Sequence, residues 1–452
     1  MEKQAADINL QVGIGYRQIL KIAMPIAAAI LVPQVNFITN NIFLGGLGEQ
    51  QLAVAGITGV YYLIFAVIGF GLNSGLQALI SRRAGENRID EIGNLFSQGI
   101  RITFFLSAFG ILVTYFIAPA ILRLSLHSAP DAQMAVQFLY IRIWGLPFLY
   151  LFQMRNALLV GTNQSRYLIA GTLAETVTNI VLDYALIYGH FGLPAMGFNG
   201  AAIASIIAEA TGVGVIFTVM HYKGIGKQLQ LFKKYTYHAA NTKLILVQSS
   251  PTILQYVLSV GSWEFFYILV EHHGERALAV SNTMRNIFGL FGCASWAFAS
   301  ATNSMVSNII GQGLQHKVPE LIIKIMKLSG GFAVIIFLLL NIAPSMLLRV
   351  YGQGDDFIAE AVPVVRVVSL ALIFMACSNI WLNAVLGTGN SNINLIIEVV
   401  AIILYSIYAY IILEKLNLSV AIGWTAEFIY WTAIFIPACL YIRSGRWKHK
   451  KI

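Results

Sequence analysis

The sequence predicts an all-α membrane protein: twelve transmembrane helices in two six-helix lobes related by a parallel pseudo-twofold repeat. Composition is the first observation. Of 452 residues, 58% are hydrophobic and 11% charged, and the mean hydropathy is +0.73; soluble domains carry roughly 25% charged residues. The others are a series of long apolar runs and an internal offset that stays constant over most of the chain.

The elements follow in order. The opening segment, MEKQAADINLQVGIGYRQIL, is polar and has no apolar core of a cleaved signal, so the first span is expected to act as the insertion signal. Apolar runs of about 20 residues, the length that crosses roughly 30 Å of hydrocarbon, centre near Leu31, Phe65, Ile111, Leu149, Ile180, Val213, Tyr256, Phe291, Phe337, Phe374, Ile403 and Ile434. Twelve spans place both termini on one side. That side receives SRRAGENR, the linker between the halves and the basic tail, whereas Arg123, Arg276, Arg349 and Lys415 fall opposite. By the positive-inside rule the termini are expected to be cytoplasmic. The net charge of +9 then reports topology and calls for no nucleic-acid partner. Cys293, Cys377 and Cys439 lie in apolar segments without Cys or His at ligand spacing, which suggests neither a disulfide framework nor a metal site.

Pro25 recurs as Pro251, Gly48-Glu49 as Gly274-Glu275, Leu52-Ala53-Val54 as Leu278-Ala279-Val280, Ser81 as Ser307 and Gly85 as Gly311, all 226 residues apart; Asn156-Ala157 recurs as Asn383-Ala384 at 227. Six spans per half is an even number, so the halves enter the membrane in the same orientation. The basic stretch His221–Lys243 separates them, with lobe boundaries expected at 1–235 and 236–452. Two such lobes leave a central cleft that can open to either side, the plan of a transporter. No HExxH, GxSxG with partners or phosphate loop supports an enzyme.

An acid at membrane depth costs at least roughly 2.5–3.5 kcal/mol unless it faces protein, water or a cation. Asp183 lies in the fifth run, with Asn179 and Glu175 four and eight residues before it on the same helical face. The short Gly-rich connection to the sixth run places Ser205 at a depth similar to Asp183. A carboxylate, an amide oxygen and a hydroxyl offer hard ligands to a small cation, or a carboxylate that takes up a proton.

YIRIWGLPF from Tyr140, NIVLDYALIYG from Asn179, GFNGAAIASIIAE from Gly197, the first-span pattern from Pro25 to Gly48 and SRRAGENR from Ser81 together resemble the multidrug and toxic compound extrusion (MATE) transporters, in particular the branch similar to DNA-damage-inducible protein F. The resemblance covers nearly the whole chain. It implies export of amphipathic, often cationic compounds in exchange for protons or sodium ions, in a bacterial inner membrane. It also implies a cation site at the residues matching Asp183, Asn179 and Ser205, with an aspartate where this chain has Asn40. An amide offers a carbonyl oxygen but no charge, so a proton on Asp183 is expected over tight sodium binding at Asp183 and Asn179; Glu175 and Glu209 remain candidates for a shared coupling role.

Asn36, Glu209, Glu264 and Trp263 are candidates for the substrate cleft. Asn36, Asn40 and Asn73 are equally readable as helix-to-helix hydrogen-bond formers, and Glu209 as a paired or capping residue. Glu264 beside Trp263, Phe265 and Phe266 suits a lipophilic cation or, as plainly, an interfacial aromatic belt. The family glutamate of the seventh span aligns with the uncharged Ser259. The alternative function is a flippase for a lipid-linked anionic substrate, which calls for mid-span basic residues; Arg142, Arg155 and Arg285 are expected near span ends. No cofactor beyond the coupling ion and no metal beyond that sodium are expected. Membrane lipid and a small-molecule amphipathic substrate are the expected partners of a monomer.

Overall fold

The computed structural model describes residues 9–126, 128–231, 233, 235–450 and 452. Among them no strand occurs, and twelve long helices stand where the apolar runs place them. They are α1 (Tyr16–Gly45), α2 (Glu49–Gly85), α3 (Ile89–Ser125), α4 (Ala129–Gly161), α5 (Leu168–Tyr188) and α6 (Phe198–Tyr222). The second half holds α7 (Ala239–Glu271), α8 (Glu275–Gly311), α9 (Val318–Ile342), α10 (Asp355–Gly387), α11 (Ser391–Tyr410) and α12 (Ala426–Ser444). Ten of these segments are long and apolar enough to cross a membrane; α5 and α8 fall outside that set. Both carry runs of polar residues, such as Thr176, Asn179 and Asp183 on α5 and Thr302, Asn303 and Ser304 on α8.

The chain divides into two compact units, residues 1–11 with 28–249 and residues 12–27 with 250–452. This partition differs from a cut at 235/236, because it runs through α1 and α7, the repeat-related helices that carry Pro25 and Pro251.

In the first unit, Leu44, Val54, Leu122, Leu139, Ile187 and Phe198, one residue from each of α1 to α6, meet in a single buried cluster. α4 begins on Ser128, whose hydroxyl accepts from the Asp131 amide, with Pro130 in the first turn, where its missing N–H is no loss. A 3-10 turn at Ile143–Gly145 interrupts it. α5 ends at Gly189, which holds φ +79°, a left-handed conformation that glycine adopts without strain. The returning strand of chain is tied back by the Met196 amide donating to Leu186 O at 2.7 Å. α5 and α6 then pack backbone to backbone: a Cβ on Gly200 would lie 2.6 Å from Leu186 O, and one on Gly212 3.1 Å from Gly171 O. Glycine at both ends of this hairpin is therefore a packing requirement, and the frame it makes holds Asp183 in place.

Candidate functional site

In the first unit, α1 and α5 are joined at two levels. The Tyr188 hydroxyl donates to Phe43 O at 2.7 Å, and Asn36 Nδ2 donates to Asn179 Oδ1 at 2.6 Å. Asp183 sits between these ties, 0% exposed. As odd-numbered spans, α1 and α5 run in the same direction, so one turn beyond the Asn36–Asn179 bond lie Asn40 on α1 and Asp183 on α5. The oxygens here lack donors: Asn36 Oδ1, Asn40 Oδ1 and both carboxylate oxygens of Asp183 are buried without a hydrogen-bond partner. Buried polar atoms normally find partners, and a carboxylate pays most for lacking them. One carboxylate with three amide groups is a hard-oxygen set that fits a proton on Asp183 or a small monovalent cation. Among the described residues no group of three or more His, Cys, Asp or Glu is placed to hold a metal.

The remaining candidates divide. Ser205 is half-buried on α6 and does not hydrogen-bond Asp183, whose oxygens have no partner. Glu175 lies two turns from Asp183 along α5 and packs against α6 at Gly212, within electrostatic reach of Arg155, Arg142 and Glu209. Glu209 is buried, 6% exposed. Arg142 embraces it with two bonds, Nη1 to Oε2 at 3.0 Å and Nη2 to Oε1 at 2.5 Å, and the guanidinium lies 3.9 Å from the centre of the Tyr62 ring. A Cβ on Gly145 would collide with both partners, which explains the small residue in the 3-10 turn.

The expectation that Arg142 sits near a span end is corrected, whereas Arg155 lies six residues before the end of α4 at Gly161. α4 begins at Ala129, well before the apolar run centred on Leu149, so Arg142 falls inside the helix. Arg155 is 0% exposed, stacked 3.6 Å from the Phe152 ring centre, and its two terminal nitrogens are buried without a hydrogen-bond partner.

In the second unit, Glu264 and Arg285 form a half-exposed ion pair at 3.4 Å, worth about 0–1 kcal/mol. Trp263 turns to another acid: its indole N–H donates to Glu427 Oε1 at 3.4 Å, and the Trp431 indole to Oε2 at 2.9 Å. Beside it Glu398, 1% exposed, accepts from the hydroxyls of Ser259 and Tyr430 and from Gln255 Nε2 at 3.4 Å. The carboxylate absent from Ser259 is thus supplied to Ser259 by α11. Glu398 and Glu427 were missed in the sequence, although each lies in an apolar run without a neighbouring base, as Asp183 does. Their seam joins α7, α11 and α12, the repeat counterparts of α1, α5 and α6. Glu398→Gln turns one acceptor oxygen into a donor among hydroxyl and amide donors, and we expect it to destabilise the protein by about 1–3 kcal/mol. Thermal unfolding in detergent checks this; a variant as stable as wild type would mean that the donors are satisfied elsewhere.

A family model, MatE, matches the chain twice, over residues 25–185 and 251–411. The matches cover more than half of the chain, and their starts stand 226 residues apart, the spacing of the internal repeat. A probable multidrug resistance protein NorM of Thermotoga maritima is 22% identical over 445 residues, 96% of this chain and 94% of the relative. A probable NorM of Synechocystis is 30% identical over 206 residues, 45% of this chain and 44% of the relative. Two solved structures share the fold: a MATE protein in complex with MaL6, with TM-score 0.88 at 16% identity over 97% of this chain and 99% of that one, and a MOP-superfamily transporter from Pyrococcus furiosus, with TM-score 0.88 at 16% identity over 100% of both. The chain belongs to the MATE family, a family of multi-pass membrane transporters and not of enzymes.

Proposed function

We propose that the protein is a secondary active multidrug exporter that moves amphipathic, cationic small molecules out of the cell in exchange for protons, with Asp183 as the proton carrier. The observation that carries this reading is the state of Asp183: a fully buried carboxylate, both oxygens without a donor, beside the Asn36–Asn179 bond. A proton on one oxygen removes the charge and turns that oxygen into a donor. Names of relatives as multidrug resistance proteins support the substrate class. The segregation of basic residues supports cytoplasmic termini in a bacterial inner membrane.

The deciding experiment is ethidium efflux from everted vesicles with the pH and sodium gradients imposed separately. Transport is expected to follow the pH gradient, and robust transport on a sodium gradient at clamped pH overturns proton coupling. Asn40→Asp supplies a second carboxylate at the level of Asp183 and is expected to add sodium dependence. If Asn40 only joins helices, the substitution lowers yield and leaves the ion dependence of the surviving protein as it was.

A second reading, flipping of a lipid-linked anionic substrate, is favoured by the buried Arg155 with two unpartnered nitrogens. Arg142 gives it less support, since Glu209 neutralises that charge. Arg155→Gln separates the readings: export of cations persists under the first, and the flippase reading requires that all transport be lost.

A further inference from the structure

The second unit contains a cavity of about 400 Å³ between α9, α10 and α12. Pro319, Ile323 and Met326 of α9, Trp381 of α10 and Phe435 of α12 form apolar walls, and Arg443 is the one charged residue of the lining. The Trp381 indole N–H donates to Met326 Sδ at 3.2 Å, which fixes one wall and leaves that N–H satisfied. Ile323 and, just along α12 from Phe435, Ile436 and Leu440 are 41%, 51% and 62% exposed, so the apolar lining continues onto surface that a membrane protein presents to its surroundings.

Charge gathers at one end. Arg443 is in the last turn of α12, where it complements the helix dipole, and it forms no ion pair among the described residues. Beyond it the chain makes a 3-10 turn at Arg446–His449. Trp447, 1% exposed, donates its indole N–H to Ile442 O at 2.8 Å, and this anchor keeps Arg446 and Lys448 at the same end of α12. Lys317 precedes Pro319 by two residues at the start of α9. Glu320, the nearest acid in sequence, is already engaged by Lys324 at 2.7 Å.

We propose that this groove is a binding site for an anionic phospholipid, one acyl chain lying along Ile323, Met326 and Phe435 and the phosphate on Arg443. An apolar slot with a single guanidinium at its basic end matches the two halves of such a molecule. Basic pockets between membrane helices recognise anionic headgroups on this physical ground. A zwitterionic lipid fills the same slot with less charge to offer Arg443.

Native mass spectrometry of the delipidated full-length protein, titrated with phosphatidylglycerol and with phosphatidylcholine of the same chains, tests the proposal. Wild type is expected to retain phosphatidylglycerol in preference, and Arg443→Gln to reduce that preference about five-fold, with Arg443→Lys restoring most of it. A phosphatidylglycerol carrying a photoreactive acyl chain should label the segment 319–326, and Ile323→Trp, which fills the slot, should abolish the label. Unchanged lipid preference in Arg443→Gln, labelling confined to other segments, or displacement of the lipid by ethidium overturns the proposal, the last by making the groove a path for substrate. Thermal unfolding of each variant verifies that the protein compared is folded.

Discussion

Asp183→Asn abolishes proton-driven efflux to the level of vesicles without transporter, while the protein accumulates in the membrane as wild type does. The two parts of this expectation have separate causes. Asparagine has the size of aspartate and offers a carbonyl oxygen, so the fit between α5, α1 and α6 is retained. It cannot bind and release a proton, so the exchange loses its carrier. A buried, unpartnered carboxylate is costly to fold around, and removing its charge leaves stability unchanged or raises it. Efflux close to wild type in Asp183→Asn means that the proton is carried elsewhere, and Glu398 and Glu427 then become the acids to test. Loss of efflux together with loss of protein means that Asp183 is structural.

Glu209→Gln is the substitution with the largest expected effect on stability, about 3–5 kcal/mol, because it leaves the buried Arg142 guanidinium without its counter-charge. The pair is bidentate, and Tyr62 and Gly145 close around it; Glu175, another acid within electrostatic reach of Arg142, makes no hydrogen bond to the guanidinium among the described residues. The double variant Glu209→Leu with Arg142→Met is expected to regain most of the loss, since an apolar pair of similar volume carries no desolvation cost. Heating detergent-solubilised protein and measuring the folded fraction by fluorescence-detected gel filtration gives the cycle. A single-variant loss under about 1 kcal/mol is the behaviour of a hydrated surface pair and contradicts the buried arrangement.

Ten spans were legible in the sequence because lipid demands a continuous apolar length; α5 and α8, whose polar residues interrupt that length, were placed by weaker apolar runs and by the repeat. The fold of each half was legible for a second reason: a repeat at constant spacing copies six helices in order. Asp183 was singled out by the rule that an acid in an apolar run needs a reason, and Asn179 by its place four residues earlier on the same helical face. The same rule, applied to Glu398 in NLIIEVVAIILY and Glu427 in WTAEFIYW, would have found the acids of the second unit.

What stayed hidden depends on contacts between helices. The apolar run around Leu149 marks only part of α4, so the sequence placed Arg142 at an end when the helix extends back to Ala129. Its partner Glu209 is 67 residues away, and nothing local announces the pair. Ser205 is legible only in part. A count of residues from the loop gave its depth along α6, but depth alone does not set which face a side chain takes, and no bond to Asp183 forms.

Proton release on substrate binding tests the central claim most directly. Purified transporter in weakly buffered detergent solution is mixed with a saturating cationic substrate, and the protons appearing in the medium are titrated against the amount of folded protein. The account predicts net proton release from the wild type and none from Asp183→Asn. Equal release from both proteins, or substrate binding to the wild type with no proton released at any pH between 5 and 9, contradicts it.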